Sequence, residues 1–481
     1  MNYLHAALFF TNIIFTLALG WYLITNLQWY SYKLKRVVLN HHKLWWHIAY
    51  FIVPIAAYYI LNGYFIPIFY LIVMPGIIWW HRHLDKKVVL TWRVKRFFII
   101  LLFITIFIDT LCTLNVTCKM YPVLIPLFIA YAISMVVEAF LALVYKKLAK
   151  AKLNSLPKLT IVAITGSYGK TSIKNFTAQI LSQKYKVYAT PRSVNTIAGI
   201  VRDINESLPL DTEIYICEAG AREAYDIKII ADFLQPQIAV IGKVGEQHME
   251  YFKTLQNIIL TKLQIMKSPR LQKAFIHTSV TNEPHEKVTF FGDNISDINA
   301  TLDATSFALR LDNGTIINLQ TKILGAFQAI NIDAAVLVAN YLGLQSSDII
   351  KAVTDLKPVE HRLQRIDAGG KIILDDGYNG NIDGMLEGIR LSSLHQGDKV
   401  IVTPGLVEST KELNTKLIEA INNVFDTAII TGSLNADLFE ELLHVKEKII
   451  LKDKTELQNI LASKTKATDV ILFANDAPNF I

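Results

Sequence analysis

One stretch of this 481-residue chain is dense with groups that can hold a phosphate: Thr165-Gly166-Ser167-Tyr168-Gly169-Lys170-Thr171-Ser172. Bare backbone amides beside Gly166 and Gly169 can cradle phosphate oxygens. The Lys170 ammonium suits β- and γ-phosphates, and the hydroxyl of Thr171, with Ser172 beside it, suits Mg²⁺. The usual pattern has four residues between its glycines and here there are two, which fits generic transporters and GTPases poorly. Further on, Glu218 ends an apolar run that begins at Glu213, and His248 follows another that ends near Val244. A carboxylate and an imidazole at such positions can ligate a divalent cation. Lys262, fourteen residues after His248, is by itself an ordinary helical lysine.

These groups need elements to place them. Residues 159–164 are a β-branched run that reads as a buried parallel strand, and residues 213–220 and 237–244 read the same way. In open α/β sheets ligands bind outside the carboxyl ends of the strands, where the loop, Glu218 and His248 would then meet. Lys262 falls on a helix expected to begin near Thr254. Strands are also expected near 399–403, 427–431, 448–451 and 469–473, which suits a small Rossmann-like C-terminal domain.

The composition divides the chain. Hydrophobic residues make up 52% and charged residues 19%, and the apolar excess lies almost wholly before residue 150. Five apolar runs, 4–27, 45–61, 64–80, 97–114 and 121–145, are each near the roughly 20 residues that a bilayer demands. The second and third are joined by Asn62-Gly63, a turn signal. Lys33, Lys35, Arg36 and Lys43 occupy one connection; Arg82, Lys86, Lys87, Arg93, Lys95 and Arg96 the next; Lys146, Lys147, Lys150 and Lys152 the exit. The other side offers only Lys119. The positive-inside rule then places the N-terminus outside and everything after residue 146 in the cytoplasm. A cleaved leader fits less well, because the first run has no basic residue ahead of it.

Topology thus accounts for much of the net charge of +7, and no nucleic-acid partner is expected. Trp45, Trp46, Trp79 and Trp80 read as interface anchors. Asp109 and Glu138 lie within runs where a helix end or a neighbouring helix could satisfy them. Cys112, Cys118 and Cys217 have no paired spacing and read as buried thiols.

Taken together, residues 158–481 resemble the Mur ligase superfamily, whose members build peptidoglycan stem peptides. The short loop resembles the family's ATP-binding loop over Gly166, Ser167, Tyr168, Gly169, Lys170, Thr171 and Ser172. Glu218 and His248 resemble its metal ligands, and Lys262 its carbamylated lysine, which holds a second Mg²⁺. Asn195, in the segment 193–199, resembles an asparagine that meets substrate and metal. Residues 324–335 are similar to the adenine-binding helix start, with Asn331 retained and with Phe327 and Gln328 where His-Asn is common. Arg362, in Pro358-Val359-Glu360-His361-Arg362-Leu363, resembles the hinge arginine that reaches back to the γ-phosphate. Asp375-Asp376-Gly377-Tyr378-Asn379 resembles the loop of the branch that adds D-alanyl-D-alanine, with Asp376 as the ribose contact and Tyr378 and Asn379 toward substrate; Gly377, Gly380 and Ile382 depart from its usual residues.

The apolar runs give a transmembrane domain of about five helices over 1–150, and the resemblance implies a P-loop-type central ATP-binding domain over 155–355 and a C-terminal domain over 356–481. It implies an ADP-forming ligase that uses ATP and two Mg²⁺ to activate a carboxylate as an acyl phosphate and join it to an amine, with D-alanyl-D-alanine and UDP-MurNAc-tripeptide as substrates. Lys170, Lys262, His248 and Arg362 would carry the catalysis. The family's usual N-terminal domain, which holds the UDP end, has apolar runs in its place. The acceptor is therefore either a nucleotide sugar or lipid-linked, and a polyglutamate-synthase-like ligase is the related alternative. A membrane ATPase or transporter would call for paired intramembrane acids and a longer loop. The expected location is the cytoplasmic membrane, among its lipids.

Overall fold

The structure, a computed structural model, describes residues 3–476 apart from 31, 40, 42, 85, 115–119, 193, 248, 282, 379, 408, 452 and 453. His248, Asn379, Cys118 and Lys119 therefore lie outside the described residues. The chain divides into two compact units, Met1–Val144 and Tyr145–Ile481.

In the first unit, four helices are long and apolar enough to cross a membrane among the described residues: Tyr3–Trp29, Trp45–Arg82, Trp92–Leu114 and Leu124–Asn154. The second does not run straight. Asn62 takes φ 49° and ψ −124°, which no α-helical residue adopts, and beyond it the chain folds back until Trp80 lies 5.7 Å from Trp46 and 5.8 Å from Tyr50, ring centre to ring centre. The five apolar runs thus become four helices, one of them bent into a hairpin. Gly20 sets the closest packing: a Cβ there would lie 2.5 Å from Leu101 Cδ2, so its absence lets Tyr3–Trp29 approach Trp92–Leu114.

The acidic residues Asp109 and Glu138 are each engaged across helices. Asn12 Nδ2 donates to Asp109 Oδ2 at 2.8 Å, both side chains being fully buried. Glu138 takes Arg96, with Arg93 at 3.8 Å. Two expectations need correction. Trp80 is not an interface anchor: it is 2% exposed because Tyr22, Trp46 and Tyr50 enclose it, whereas Trp45 and Trp79 are exposed. Cys112 is disulfide-bonded rather than a thiol, while Cys217 is free and buried. The spacing argument failed because a bond between cysteines depends on where the chain folds back.

In the second unit, β1 (Thr160–Thr165), β2 (Val187–Ala189), β3 (Ile214–Glu218), β4 (Ile238–Ile241), β5 (Lys273–His277) and β6 (Val288–Phe291) form a parallel sheet in the order β2-β3-β1-β4-β5-β6. The strands are apolar throughout because both faces are covered. Val162, Ile164, Ile216 and Val240 pack on helices Lys170–Leu181 and Ala326–Tyr341, while Ile161, Ala163, Tyr215 and Ala239 pack on Ile197–Ser207 and Asp226–Leu234. From β1 the chain winds first to one side and then to the other. The carboxyl ends of β1, β3 and β4 consequently border one crevice.

A three-stranded antiparallel sheet follows, β7 (Ile295–Ala300), β8 (Thr305–Arg310) and β9 (Ile316–Thr321), which the sequence reading did not foresee. The last sheet has the order β10-β11-β15-β12-β13-β14, with β10 (Gln364–Ala368) antiparallel to β11 (Lys371–Asp376) and the others parallel: β12 (Lys399–Thr403), β13 (Thr427–Thr431), β14 (Glu447–Leu451) and β15 (Val470–Ala474). Several side chains join the central and C-terminal sheets. Lys243 meets Asp383 at 2.7 Å, Gln179 exchanges two hydrogen bonds with Lys357, and Glu387 accepts from the Ala326 amide at 2.8 Å.

Candidate active site

The loop leaves β1 through Gly166, whose φ of 146° and close approach to the Gly242 backbone both require glycine, and enters helix Lys170–Leu181 at Gly169. Gly169 has φ 78°, and a Cβ on it would lie 2.3 Å from Asn331 Oδ1. Gly169→Ala therefore combines left-handed strain with a clash. We expect it to destabilise the central domain by about 1–3 kcal/mol and to abolish nucleotide binding, measured by calorimetric titration with ADP. Unchanged binding would show that the loop relaxes freely.

The loop is laced to the segment after β4. The amides of Ser167 and Tyr168 donate to the Lys243 carbonyl at 3.0 and 3.1 Å, and Ser167 Oγ donates to the Gly245 carbonyl at 3.0 Å. Lys170 Nζ lies against the loop carbonyls of Gly166 and Ser167 at 2.9 and 2.8 Å. Burial pushes its pKa down, Glu218 opposes this, and Arg362 adds to it. The hinge arginine thus faces the loop lysine within one electrostatic neighbourhood.

Glu218, 1% exposed at the end of β3, is the hub. Thr171 Oγ1 donates to its Oε2 at 3.0 Å and Asn195 Nδ2 to its Oε1 at 3.2 Å. The position of Asn195 in turn requires Gly220, where a Cβ would lie 2.7 Å from the Asn195 amide carbon. The separation of the Thr171 and Glu218 oxygens matches the about 3 Å between adjacent oxygens of an octahedral ion with bonds of about 2.0–2.1 Å. A hydroxyl and a carboxylate are also the hard donors that Mg²⁺ prefers. The residues present therefore fit Mg²⁺. No cluster of three or more His, Cys, Asp or Glu is found among the described residues, a count that omits hydroxyl donors and His248.

Lys262, near the end of helix Leu255–Leu263, is 3% exposed. Its pKa is pushed down to about 7, first by burial and then by the charge of Lys170, with Asp226 and Glu218 opposing. Ser172 is buried at the loop helix and Tyr168 lies across Gly245.

The hinge is held from both sides. Its backbone is unusual, with His361 at φ 58° and Leu363 at φ 54° on either side of Arg362. Gln328 Nε2 donates to the Arg362 carbonyl at 3.3 Å, and Asn331 Nδ2 donates to Gln328 Oε1 at 2.8 Å. Gln328 and Asn331 thus tie loop to hinge in addition to whatever they offer a base. The Arg362 guanidinium donates to the Tyr378 carbonyl; burial lowers its pKa, and Asp376 and Glu218 oppose this. Asp376 is buried at the end of β11, and the Tyr378 side chain is exposed.

Sequence reasoning missed Lys174. One turn beyond Lys170, it is 1% exposed, lies 3.5 Å from Glu218 and donates to the Arg192 carbonyl. Its signal was the i, i+4 spacing from Lys170, which turns it toward the same strand ends. Breaking a buried ion pair costs about 3–5 kcal/mol, so Lys174→Met should destabilise the central domain by about that much in EDTA. Millimolar Mg²⁺ should recover part of the loss, because the ion takes over the vacated charge beside Glu218. Thermal unfolding with and without Mg²⁺ measures this, and an equal loss in both would leave Lys174 a packing residue.

With this geometry established, comparison with known proteins places it. Residues 164–339 match the Mur ligase middle domain. Over this stretch the chain is similar to the Mur ligase superfamily. A curated relative from Bacillus subtilis, named UDP-N-acetylmuramoyl-tripeptide–D-alanyl-D-alanine ligase, is 28% identical over 367 residues, covering 71% of this chain and 78% of that protein. The structure of the ligase MurF from Thermotoga maritima in complex with ADP is 26% identical, with a TM-score of 0.60, over 70% of this chain and 80% of that one. MurF from Acinetobacter baumannii, at 21% identity, shares the fold over 70% of this chain and 77% of its own, with a TM-score of 0.61. The Mur ligase fold of α/β domains is thus the architecture in which this site sits.

Proposed function

We propose that this chain is a Mur ligase that joins D-alanyl-D-alanine to UDP-MurNAc-tripeptide with conversion of ATP to ADP and phosphate, in peptidoglycan precursor synthesis. One observation carries the reading: Lys170, Glu218, Lys262 and Arg362, drawn from four separate elements, share one electrostatic neighbourhood at the carboxyl edge of the central sheet. An amide bond does not form readily from a carboxylate and an amine at neutral pH, because oxide is a poor leaving group. Phosphorylation of the carboxylate supplies a better one. Cations that gather around the transferring phosphoryl lower the cost of that step.

In this reading the loop amides and Lys170 hold the phosphates, and Arg362 adds its charge from the hinge. Asp376 takes the ribose, Gln328 and Asn331 border the base, and Asn195, Tyr378 and Asn379 face substrate. Thr171, Glu218 and His248 would hold Mg²⁺, which would supply charge neutralisation at the phosphates. Lys262, as a carbamate, would hold a second ion, a role that suits a buried amine close to neutrality, since only the uncharged amine adds CO₂, with release of a proton. The match to the B. subtilis ligase, whose name states this reaction, supports the choice of substrates.

We further place the first unit in the cytoplasmic membrane and the catalytic unit in the cytoplasm. Supporting this, the basic residues gather in the connections assigned to the inner side. The disulfide-bonded Cys112 falls near an outer end, where an oxidising compartment sustains it, and the free Cys217 falls on the reducing side. The test is phosphate release from ATP by the detergent-purified chain, given UDP-MurNAc-tripeptide and D-alanyl-D-alanine singly and together, with the product weighed by mass spectrometry. Product only with both is expected. Hydrolysis without product would reject these substrates and direct attention to lipid-linked acceptors.

A further inference from the structure

The first unit carries a feature that the ligase reading does not use. Between helices Tyr3–Trp29 and Trp92–Leu114 lies a groove of about 430 Å³, open to the side and lined by Ile14, Ala18 and Trp21 from one helix and Phe98, Ile99 and Leu102 from the other. Its size falls in the range of about 300–1,000 Å³ typical of small-molecule sites. The wall is apolar. A polar ligand would be desolvated there without compensation, whereas a hydrocarbon chain would not.

The two helices give the groove a polar end. Ile14, Ala18 and Trp21 lie on one face of their helix, and Gln28 lies on the same face two turns beyond Trp21. Gln28 grips the backbone of Val89 from both sides: its Nε2 donates to the Val89 carbonyl at 3.0 Å, and its Oε1 accepts from the Val89 amide at 2.8 Å. Trp29 Nε1 donates to the Lys86 carbonyl at 2.8 Å. These bonds hold the segment 86–89 against the C-terminal end of helix Tyr3–Trp29, beyond the Trp21 end of the groove, with Lys86 and Lys87 exposed on it. On the other helix, Lys95 lies one turn before Ile99 on the face that carries Ile99 and Leu102, also exposed and over the Trp92 ring at 4.9 Å. Arg93 and Arg96, by contrast, are engaged by Glu138.

An apolar groove with three exposed lysines beyond one of its ends matches a molecule with a long hydrocarbon chain and an anionic head. We infer that the first unit holds one anionic glycerophospholipid of the cytoplasmic leaflet, an acyl chain in this groove and its phosphate over Lys86, Lys87 and Lys95. The occupant is a bilayer phospholipid because the groove opens sideways, where a bilayer supplies such a lipid directly, and because the lysines stand at its inner end, at headgroup level. The inference rests on the membrane reading of this unit and not on the ligase reading.

Flotation of the full chain with liposomes comes first, since failure to float would sink the membrane reading itself. Native mass spectrometry of the floated protein, released in detergent with phosphatidylglycerol or phosphatidylcholine, then reads the site. We expect one retained phosphatidylglycerol, preferred over phosphatidylcholine by about tenfold or more, given three basic side chains. Leu102→Trp, which fills the groove from an exposed position, should lose the retained lipid. The combined Lys86→Gln, Lys87→Gln and Lys95→Gln variant should keep a lipid but lose the preference. Floated protein with no retained phosphatidylglycerol, or with retention unchanged in Leu102→Trp, would overturn the site. Displacement of phosphatidylglycerol by an equal concentration of a polyprenyl phosphate would overturn the phospholipid as its occupant.

Discussion

Lys170→Met should lower product formation by about 10²–10³-fold, the usual cost of removing one group preorganised for the transition state, while the protein still folds. The wild-type ammonium is held by the carbonyls of Gly166 and Ser167 at 2.9 and 2.8 Å, so its position is set by the loop's own backbone. Burial already disfavours its charge, and Arg362 disfavours it further. A site that gathers cations at such cost gains most when an anion arrives between them, and phosphate in transfer is that anion. Methionine keeps much of the length and removes the charge, so stability should hold or rise slightly while catalysis collapses. Single-turnover phosphate release with both substrates measures the effect. A loss of less than tenfold would show that Lys170 holds the loop together and does not serve the reaction.

Lys262→Ala should be as severe, about 10²–10³-fold in rate on the same reasoning, and it should be reversible in a way that Lys170→Met is not. A buried amine whose pKa is pushed down to about 7 is increasingly uncharged above that pH. The uncharged amine can add CO₂ and become an anion with two oxygens, the donors that Mg²⁺ prefers. Alanine leaves a cavity where a short-chain carboxylic acid can place its own oxygens. Acetate or propionate should therefore restore part of the activity of Lys262→Ala and none of that of Lys170→Met. Lys262→Arg separates the alternatives, because it keeps a cation and cannot form a stable carbamate. Full activity in Lys262→Arg, or no response to acids in Lys262→Ala, would show that the position requires a positive charge or simply bulk.

Much of the catalytic half was legible because its signals are local. A strand followed by Gly-Ser-Tyr-Gly-Lys-Thr can turn only where glycine permits, so the loop and its helix could be read from adjacent residues. The runs 213–220 and 237–244 contain β3 and β4, and the four later runs overlap β12 to β15, because a strand buried on both faces has a continuous apolar sequence. The sheet β7 to β9 escaped notice because its two outer strands are partly exposed: Ile316–Thr321 alternates exposed and buried residues, and Ile295–Ala300 is exposed along most of its length. Lys174 was missed for a different reason. In sequence a helical lysine is ordinary, and only its place beneath Glu218 makes it a buried partner. The disulfide at Cys112 likewise depends on chain reversal rather than spacing.

By itself the sequence determined what depends on neighbouring residues: two halves of opposite polarity, the chain turn at Asn62-Gly63, a phosphate-binding turn, and strands with acidic or basic residues at their ends. Periodicity and backbone sterics act over a few residues, so they can be read without a fold. Tertiary structure alone decided what depends on groups far apart in the chain. It set the 3.0 Å between the Thr171 and Glu218 oxygens, brought Arg362 into the field of Lys170, and bound Gln328 to the hinge. It also held the segment 86–89 against the end of helix Tyr3–Trp29. Hydrogen bonds and charge fields fall off within a few ångströms, and which residues come that close is set by strand order and helix packing, not by distance along the chain.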